Sequence, residues 1–225
     1  MSDLNKKAFG GLLQLAVILA VAIFFLAGTI HYWQAWVFLS VFLLSSFAIT
    51  VYLMKNDPQL LERRVSAGPG SEKEKSQKII QALASVAFLA VIVFPAADHR
   101  LSWSSVPLFV VVIGNILIVA GFYIVFLVFK ENTFTSAIIE VSDEQTIIST
   151  GPYAIVRHPM YIGALVLLLG TPIALGSWWG LITIVPISAV IVWRLVDEEE
   201  FLLENLPGYQ QYQQKVRYRL LPFIW

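Results

Sequence analysis

Four side chains near Pro159 have the types and spacing expected of a binding site. Tyr153, Arg157, His158 and Tyr161 lie within one short stretch of the chain. Because Pro159 suits the first turn of a helix, we expect Arg157 and His158 at the N-terminal end of a helix, where free backbone N–H groups bind anions. The stretch therefore predicts a site for a carboxylate or phosphate. Anchoring of Arg, His and Tyr at a membrane interface is the simpler alternative.

A run of carboxylates, residues 197–200, is the second candidate. At about 100° per residue, Glu199 falls in the middle of an apolar stripe of Val and Leu side chains. A buried carboxylate is costly unless it is paired. Glu199 is therefore predicted either to bind a ligand or to form a structural ion pair with Arg157 or Arg217, and the residues alone do not decide between the two.

The other carboxylates of the run, Asp197, Glu198 and Glu200, lie off this stripe. They are predicted to be solvated, capping or lipid-interface charges. Arg194 falls on roughly the opposite side of an ideal helix from Glu199. The two side chains are thus expected to meet on one ligand only if the helix bends or unwinds.

The elements that carry these residues are predicted to be membrane helices. Of the 225 residues, 58% are hydrophobic and 13% are charged, about half the charged fraction of a soluble domain. Four apolar segments are long enough to span a bilayer, and two shorter ones follow: 9–30, 33–54, 79–97, 106–129, 160–175 and 178–195. The sequence thus predicts an all-α integral membrane protein with five to six transmembrane helices.

One membrane domain, residues 1–225, accounts for the whole chain, since too few residues lie outside the apolar segments to form a second core. Residues 1–129 supply the N-terminal transmembrane helices, and residues 130–225 form a C-terminal subdomain with the candidate site. Gly114 and Gly121 lie seven apart on an apolar segment, which predicts close packing of two helices.

Lys and Arg are distributed unequally between the two faces of a six-segment arrangement. Only Arg100 falls on one face, and the other 14 cations fall on the opposite face. By the positive-inside rule both termini and the long loops are expected in the cytoplasm. The first apolar segment exceeds a signal-peptide core and is predicted to be a retained anchor; in a bacterium the protein would lie in the inner membrane.

Two loops on the cation-rich face are predicted to be structured. In the first, Asp57 can cap a short amphipathic helix that begins at Pro58 and includes Arg63 and Arg64. Its cations could contact anionic lipids, although ordinary positive-inside bias explains them and is favoured. The second loop, residues 130–159, is too long for a simple connection, so a functional segment is expected.

Composition excludes several other classes of function. Lys+Arg and Asp+Glu number 15 each, which gives no basis for a nucleic acid partner. The chain has no Cys, so disulfides, thiolate metal sites and cysteine nucleophiles are ruled out. The three His, at 31, 99 and 158, are predicted on opposite faces, and no metal site is expected.

Taken in order, the C-terminal motifs resemble those of a known family. They are Asn132 and Phe134, Gly151-Pro152-Tyr153, Arg157-His158-Pro159-Met160-Tyr161-Ile162-Gly163, Glu199-Glu200, Tyr209-Gln210-Gln211-Tyr212 and Leu220-Leu221-Pro222-Phe223-Ile224. As a set they resemble the isoprenylcysteine carboxyl methyltransferase family and its bacterial relatives, which are also similar to phospholipid N-methyltransferases.

The resemblance implies that S-adenosylmethionine binds in a pocket at the cytoplasmic membrane face, with a lateral route for a small lipophilic or prenylated acceptor. Residues 130–225 would then be the methyltransferase-like catalytic part. The glutamate implied for the cofactor coincides with the one that the helix phase buries. The positions carried over as cofactor-binding are Gln145, Thr146, Ile147, Ile148, Tyr153, His158, Pro159, Met160, Tyr161 and Glu199.

The residues expected at the acceptor depart from the family pattern. Where the eukaryotic enzymes have a substrate-binding Arg just before the glutamates, this chain has Leu195 and Val196, with Arg194 nearest, and residues 138–139 are Ile where those enzymes have a Gln. Arg194 and Arg157 are the candidate catalytic residues. A carboxylate acceptor is already ionised near neutral pH and needs no base, so carboxylate O-methylation is favoured.

Two other functions remain open. The Arg-His-Pro-x-Tyr and C-terminal Tyr-Arg-x-x-Pro patterns also resemble the membrane sterol reductases, which makes an NADPH-dependent reductase the alternative enzyme. A non-enzymatic transporter subunit or scaffold is the third possibility. Few polar residues lie in the middle of the apolar segments, which disfavours a transporter.

Overall fold

The regular structure is helical in the computed structural model, which describes residues 3–65, 75–136, 138, 141 and 145–225. Two short 3₁₀ helices, Gly151–Ala154 and Trp179–Thr183, lie between the longer elements. The α-helices are α1 Asp3–Ala27, α2 Trp33–Asn56, α3 Pro58–Val65, α4 Lys75–Leu101, α5 Leu108–Glu131, α6 Pro159–Ala174, α7 Ile184–Asn205 and α8 Tyr209–Lys215.

Five of the described helices are long and apolar enough to cross a membrane: α1, α2, α4, α5 and the element that runs through the second 3₁₀ helix into α7. Helix α6 is apolar but has only 16 residues, about 24 Å at 1.5 Å per residue, and so falls short of the roughly 30 Å hydrocarbon core. The predicted all-α integral membrane fold with five to six transmembrane helices is confirmed.

Helix α6 packs closely on α5 through glycines, as the spacing of Gly114 and Gly121 predicts. A Cβ at Gly114 would lie 2.4 Å from the backbone nitrogen of Ala174, and one at Gly121 would lie 2.6 Å from the carbonyl oxygen of Gly163. Because no side chain fits there, the two backbones come into direct contact. This contact fixes α6, and with it His158 at its N-terminal boundary.

The predicted short helix after α2 is present as α3. The Asp57 carboxylate accepts a hydrogen bond from the Leu60 N–H at 3.0 Å, and Leu60 itself is fully buried. Arg63 Nη1 donates to the Thr133 carbonyl at 3.0 Å, and Arg64 Nη1 to the Ser136 carbonyl at 3.2 Å. The two arginines therefore bind the segment that follows α5, a role that the sequence does not predict.

The two ends of α6 define the two ends of the bundle. At the end where α6 stops, here called the turn end, Gly176 adopts φ +74° and the Tyr32 hydroxyl donates to the Leu175 carbonyl at 2.5 Å. Tyr32 also stacks on His99 with ring centroids 3.8 Å apart, whereas His158 lies at the opposite end, the site end. Within the described ranges no three His, Cys, Asp or Glu residues are placed to hold a metal ion.

Candidate active site

At the site end, the C-terminal segment crosses the chain just before α6. The backbone N–H groups of Arg157 and His158 donate to the carbonyls of Tyr218 and Arg219 at 2.9 and 3.0 Å. Arg157 Nη1 also donates to the carbonyls of Val216 at 2.8 Å and Arg217 at 2.9 Å. These bonds hold the C-terminal segment in place, and so position α8 immediately before it.

Glu199 lies at the centre of this crossing and is only 3% exposed. Its Oε1 accepts from Arg157 Nε at 2.5 Å and lies 3.2 Å from His158 Nε2, while its Oε2 accepts from Arg219 Nε at 2.7 Å. The burial predicted from the helix phase is confirmed. Glu199 thus forms the structural ion pair that is the alternative to ligand binding. Arg157 is one of the two partners predicted for it, and Arg219 binds it where Arg217 is expected.

A cavity of about 500 Å³ opens beside this cluster, within the range of about 300–1,000 Å³ usual for small-molecule sites. Glu199 is absent from its described lining, since its carboxylate is turned to the C-terminal segment. The other predicted site residues all line the cavity: Gln145, Thr146, Ile147, Ile148, Tyr153, Arg157, His158, Pro159, Met160, Tyr161 and Arg194.

Among the described residues, the carboxylate that faces the cavity is Glu198, which accepts a hydrogen bond from the Tyr161 hydroxyl at 2.6 Å. The prediction that Glu198 is a solvated, capping or lipid-interface charge is therefore wrong. Residues four apart share one face of a helix, so Glu198 lies beside Arg194. The sequence identifies only the apolar face of α7 as enclosed, but this second face is enclosed too, by α4 and α6.

Arg194 is held on that second face by α4. Its Nη1 donates to the Oε1 atoms of Gln77 and Gln81, each at 3.1 Å, and the Gln77 amide donates in turn to Asp197. Asp197 therefore belongs to a cross-helix network and is not simply solvated. Arg194 and Glu199 do not converge, because α7 remains helical between them.

Aromatic side chains cover the cavity on the side of α8. The Tyr212 hydroxyl donates to the Tyr153 carbonyl at 2.8 Å, and Asn132 Nδ2 donates to the Tyr153 hydroxyl at 3.1 Å. The Tyr209 hydroxyl also faces the cavity, is buried, and has no hydrogen-bond partner among the described residues. Burial raises the pKa of Tyr209 and of Tyr212, so both phenols are neutral at physiological pH.

The opposite side of the cavity is apolar. It is lined by Phe88 of α4, Val125 of α5, and Ala164, Leu167 and Leu168 of α6. Helix α6 contributes most of these side chains, and α5 contributes Val125. Polar and apolar walls thus enclose one continuous space.

Two further residues at the cavity have no predicted role. Arg64 of α3 lines it together with Ser136. From the sequence alone, the positive-inside bias of membrane proteins explains this arginine and gives it no role at a site. Asn132, noted only as part of a motif, lines it as well and binds Tyr153. Ile138, one of the two Ile residues that stand where the eukaryotic enzymes have a Gln, contributes to the lining. Its companion, residue 139, lies outside the described residues.

Comparison with known proteins bears on these elements directly. A family model described as phospholipid methyltransferase matches residues 109–208, which include α5 from its second residue onward and the whole of α6 and α7. A probable protein-S-isoprenylcysteine O-methyltransferase of Oryza sativa subsp. indica is 33% identical over 149 residues, covering 59% of this chain and 68% of the relative. A protein with the same description from Oryza sativa subsp. japonica gives the same values.

These matches and the five apolar helices define a membrane protein of the methyltransferase class. Within that class, the chain belongs to the isoprenylcysteine carboxyl methyltransferase family, as its motifs predict. Neither the sterol reductases nor a non-enzymatic scaffold is favoured by the comparisons.

Proposed function

We propose that the protein transfers a methyl group from S-adenosylmethionine to the carboxylate of a small lipophilic acceptor. The observation that carries the proposal is one continuous cavity that has a polar aromatic side between α7 and α8 and an apolar side between α4, α5 and α6. The named relatives are isoprenylcysteine O-methyltransferases, which supports an acceptor with a carboxylate and an apolar chain.

The donor set of the cavity fits the cofactor. The chemistry that S-adenosylmethionine supplies when bound is a methyl group on a sulfonium, suited to in-line displacement. Tyr153, Tyr161 and Tyr212 line the cavity and can stabilise a sulfonium by cation–π contact. The buried hydroxyl of Tyr209, which has no hydrogen-bond partner among the described residues, could bond to a ribose or amino acid group.

Among the glutamates, Glu198 is the one we propose for the cofactor. It lines the cavity and can accept hydrogen bonds from an ammonium or from ribose hydroxyls, whereas both carboxylate oxygens of Glu199 are bound by protein side chains. Glu199 then contributes by holding Arg157 and Arg219, and through them α8, against the cavity. Arg157 has a positioning role because its guanidinium binds Glu199 and two carbonyls.

On the acceptor side, the protein has to orient a carboxylate and exclude water, since displacement at a methyl group depends mainly on alignment. An ionised carboxylate needs no base. Arg194 is the residue we propose to bind it, because it lines the cavity from the face that Glu198 shares. The apolar side chains of α6 would hold the lipophilic part.

The proposal places the site, with both termini, on the cytoplasmic side. Its support is the excess of Lys and Arg on the site face. A reporter fused after Trp225 should be cytoplasmic, and one inserted near His99 should be on the opposite side. Two reporters on the same side would contradict this orientation.

Methyl transfer itself can be tested with purified protein in neutral-lipid nanodiscs. Labelled S-adenosylmethionine is incubated with prenylcysteine, fatty acid, amine and thiol acceptors; label should appear in base-labile esters of the lipophilic carboxylates. In Arg194→Ala the KM for such an acceptor should rise about tenfold, the value of one charge-assisted hydrogen bond, with affinity for S-adenosylhomocysteine unchanged. Label that reaches only water-soluble acceptors would contradict entry from the membrane.

A further inference from the structure

The apolar side of the cavity ends at three side chains that lie toward the turn end of the bundle. They are Phe88 of α4 and Leu167 and Leu168 of α6, here called the floor. Leu167 belongs to one buried apolar cluster and Leu168 to another, and Phe88 packs against both clusters. The floor therefore joins two parts of the core across the end of the cavity.

Beyond the floor, the helices that enclose the cavity pack on each other without lining it. Ile92 of α4 and Ile118 of α5 are fully buried, and Ile191 of α7 is buried as well. Each lies closer to the turn end than the lining residues of its own helix, and none of the three belongs to the described lining. Because protein interiors are close-packed, the cavity stops at the floor.

The depth of the apolar side follows from two helices. Arg194 Nη1 donates to Gln81 Oε1 at 3.1 Å, which places the guanidinium level with Gln81. Phe88 lies seven residues after Gln81 on α4, and Leu168 lies seven residues after Tyr161 on α6. At 1.5 Å per residue each helix gives a depth of about 10 Å. An extended chain advances about 1.2 Å per bond, so about eight bonds separate a carboxylate at Arg194 from the floor.

We propose that the floor sets the maximum length of the acceptor's alkyl chain, and that Phe88 is the specificity-determining residue for this length. The inference rests on the proposed function, in which Arg194 binds the acceptor's carboxylate and the apolar side holds its chain. The acceptor class is then a lipophilic carboxylic acid with an unbranched reach of up to about ten carbons.

The floor selects by steric fit, because apolar attraction does not select for length in this setting. Lipid tails are as apolar as the side chains of the cavity, so a chain that leaves the bilayer for the cavity gains little from burial. Chains that fit should bind equally well when their amounts are compared in the bilayer. A longer chain has to displace packed side chains, and overpacking an apolar core is unfavourable.

Phe88 limits the length more than the two leucines do, because it packs against both clusters. Without its ring, the next side chain on the same face of α4 is Ile92, one turn further. One turn is about 5.4 Å, which equals about four bonds of an extended chain. Shortening Phe88 therefore lengthens the space by up to about four carbons.

Binding of a chain-length series tests the inference without turnover. Alkanoates from hexanoate to hexadecanoate are titrated against the full chain in phosphatidylcholine nanodiscs that contain S-adenosylhomocysteine, with empty nanodiscs as the measure of partition. In wild type, chains of up to about ten carbons should bind within about threefold of each other, and tetradecanoate and hexadecanoate about tenfold more weakly or worse. Phe88→Ala should raise the length at which affinity falls by about two to four carbons.

Two further variants at the same position keep the test decisive if Phe88→Ala does not fold. Phe88→Leu should raise the limit by less than Phe88→Ala does, and Phe88→Trp should lower it. Leu89→Ala is the matched control, since Leu89 is adjacent on α4, 48% exposed and not among the described lining residues. It should leave the limit where it is in wild type.

Three results would overturn the inference. The first is equal affinity of wild type for all chains up to hexadecanoate, which would mean that the chain leaves the cavity sideways into the bilayer. The second is the same limit in wild type and in the folded Phe88 variants, and the third is an equal shift in Leu89→Ala. Absence of any alkanoate binding in wild type would overturn it as well.

Titration of S-adenosylhomocysteine alone separates this inference from the proposed function. Its affinity should be the same in wild type and the Phe88 variants, because the residues proposed for the cofactor, Glu198 and Tyr209, come from α7 and α8. If S-adenosylhomocysteine binds and the length limit does not respond to Phe88, the inference is wrong while the methyltransferase proposal stands. If wild type does not bind S-adenosylhomocysteine, the proposed function fails, and the alkanoate series still decides whether the floor limits an apolar ligand.

Discussion

Buried carboxylates lie at both ends of the bundle, but they are used differently. At the turn end, Asp98 is 1% exposed and accepts hydrogen bonds from the Ser104 N–H at 2.8 Å, the Ser104 hydroxyl at 2.6 Å and the Ser177 hydroxyl. It joins the end of α4 to the turn after α6. Its described partners are backbone and hydroxyl groups, so the cluster acts as a structural joint.

At the site end, Glu198 and Glu199 are adjacent residues of α7 with different contacts. Glu199 resembles Asp98, since both of its oxygens are bound by protein groups. Glu198 instead faces a cavity, and so does Tyr209, whose hydroxyl has no partner in the part of the chain that the structure describes. Burial and charge alone therefore do not distinguish the two glutamates. The direction in which each carboxylate faces does.

The largest effect is expected at Glu199, on stability. Glu199→Ala leaves Arg157 buried without its counter-charge, a change that costs about 3–5 kcal/mol, and it releases the C-terminal segment. Thermal and denaturant unfolding in detergent would measure the loss. Glu200→Ala, at the adjacent exposed position, is the control and should change stability by less than about 0.5 kcal/mol; equal losses would mean that the ion cluster is not structural.

Glu198→Gln should affect binding more than stability. The amide can still accept from the Tyr161 hydroxyl, but the charge available to the cofactor's ammonium is lost, which is worth about 1.5–3 kcal/mol or at least tenfold in affinity. Calorimetry with S-adenosylhomocysteine measures this, with Glu204→Gln as the exposed control. A binding loss in Glu199→Gln at unchanged stability would instead support Glu199 as the cofactor-binding glutamate that the family resemblance implies.

Asp98→Ala should show the reverse pattern. It leaves the Ser104 and Ser177 donors without their acceptor, which costs about 1–3 kcal/mol. Because the cluster lies at the other end of α6, the affinity of the folded fraction for S-adenosylhomocysteine should not change. A fall in this affinity would show that the two ends of the bundle are coupled, and would contradict the view that the Asp98 cluster is purely structural.

The smallest effect is expected at Tyr209. Tyr209→Phe removes a hydroxyl that has no partner among the described residues, so stability should be unchanged or slightly higher. Affinity for S-adenosylhomocysteine should fall about two- to tenfold, the value of one neutral hydrogen bond. Tyr212→Phe is the contrast, since it loses the bond to the Tyr153 carbonyl and should lower stability.

The fold could be predicted largely from the sequence because apolar length is a local property. The spans and the Asp57 cap depend on residues close together in the chain, and the close packing of α5 is indicated by two glycines, Gly114 and Gly121, of one segment. The burial of Glu199 follows from helix phase in the same way. The set around His158 could be predicted because Tyr153, Arg157, His158 and Tyr161 lie within one short stretch of the chain.

What could not be predicted depends on contacts between distant segments. Arg64 reaches the cavity only because α3 folds against the segment after α5, and Glu198 faces the cavity only because α4 and α6 enclose a second side of α7. The choice of Arg219 over Arg217 as partner of Glu199 depends on the backbone pairing of the C-terminal segment with residues 157–158. These contacts leave no periodic pattern in the sequence, so they could not be predicted from it.

The most direct test of the central claim is calorimetric titration of S-adenosylhomocysteine into the detergent-purified protein, with NADPH as the comparison ligand. A cavity built for S-adenosylmethionine should give saturable binding of S-adenosylhomocysteine near one molecule per chain, weakened in Glu198→Gln, and no saturable heat with NADPH. Saturable binding of NADPH without binding of S-adenosylhomocysteine would contradict the assignment of the cavity.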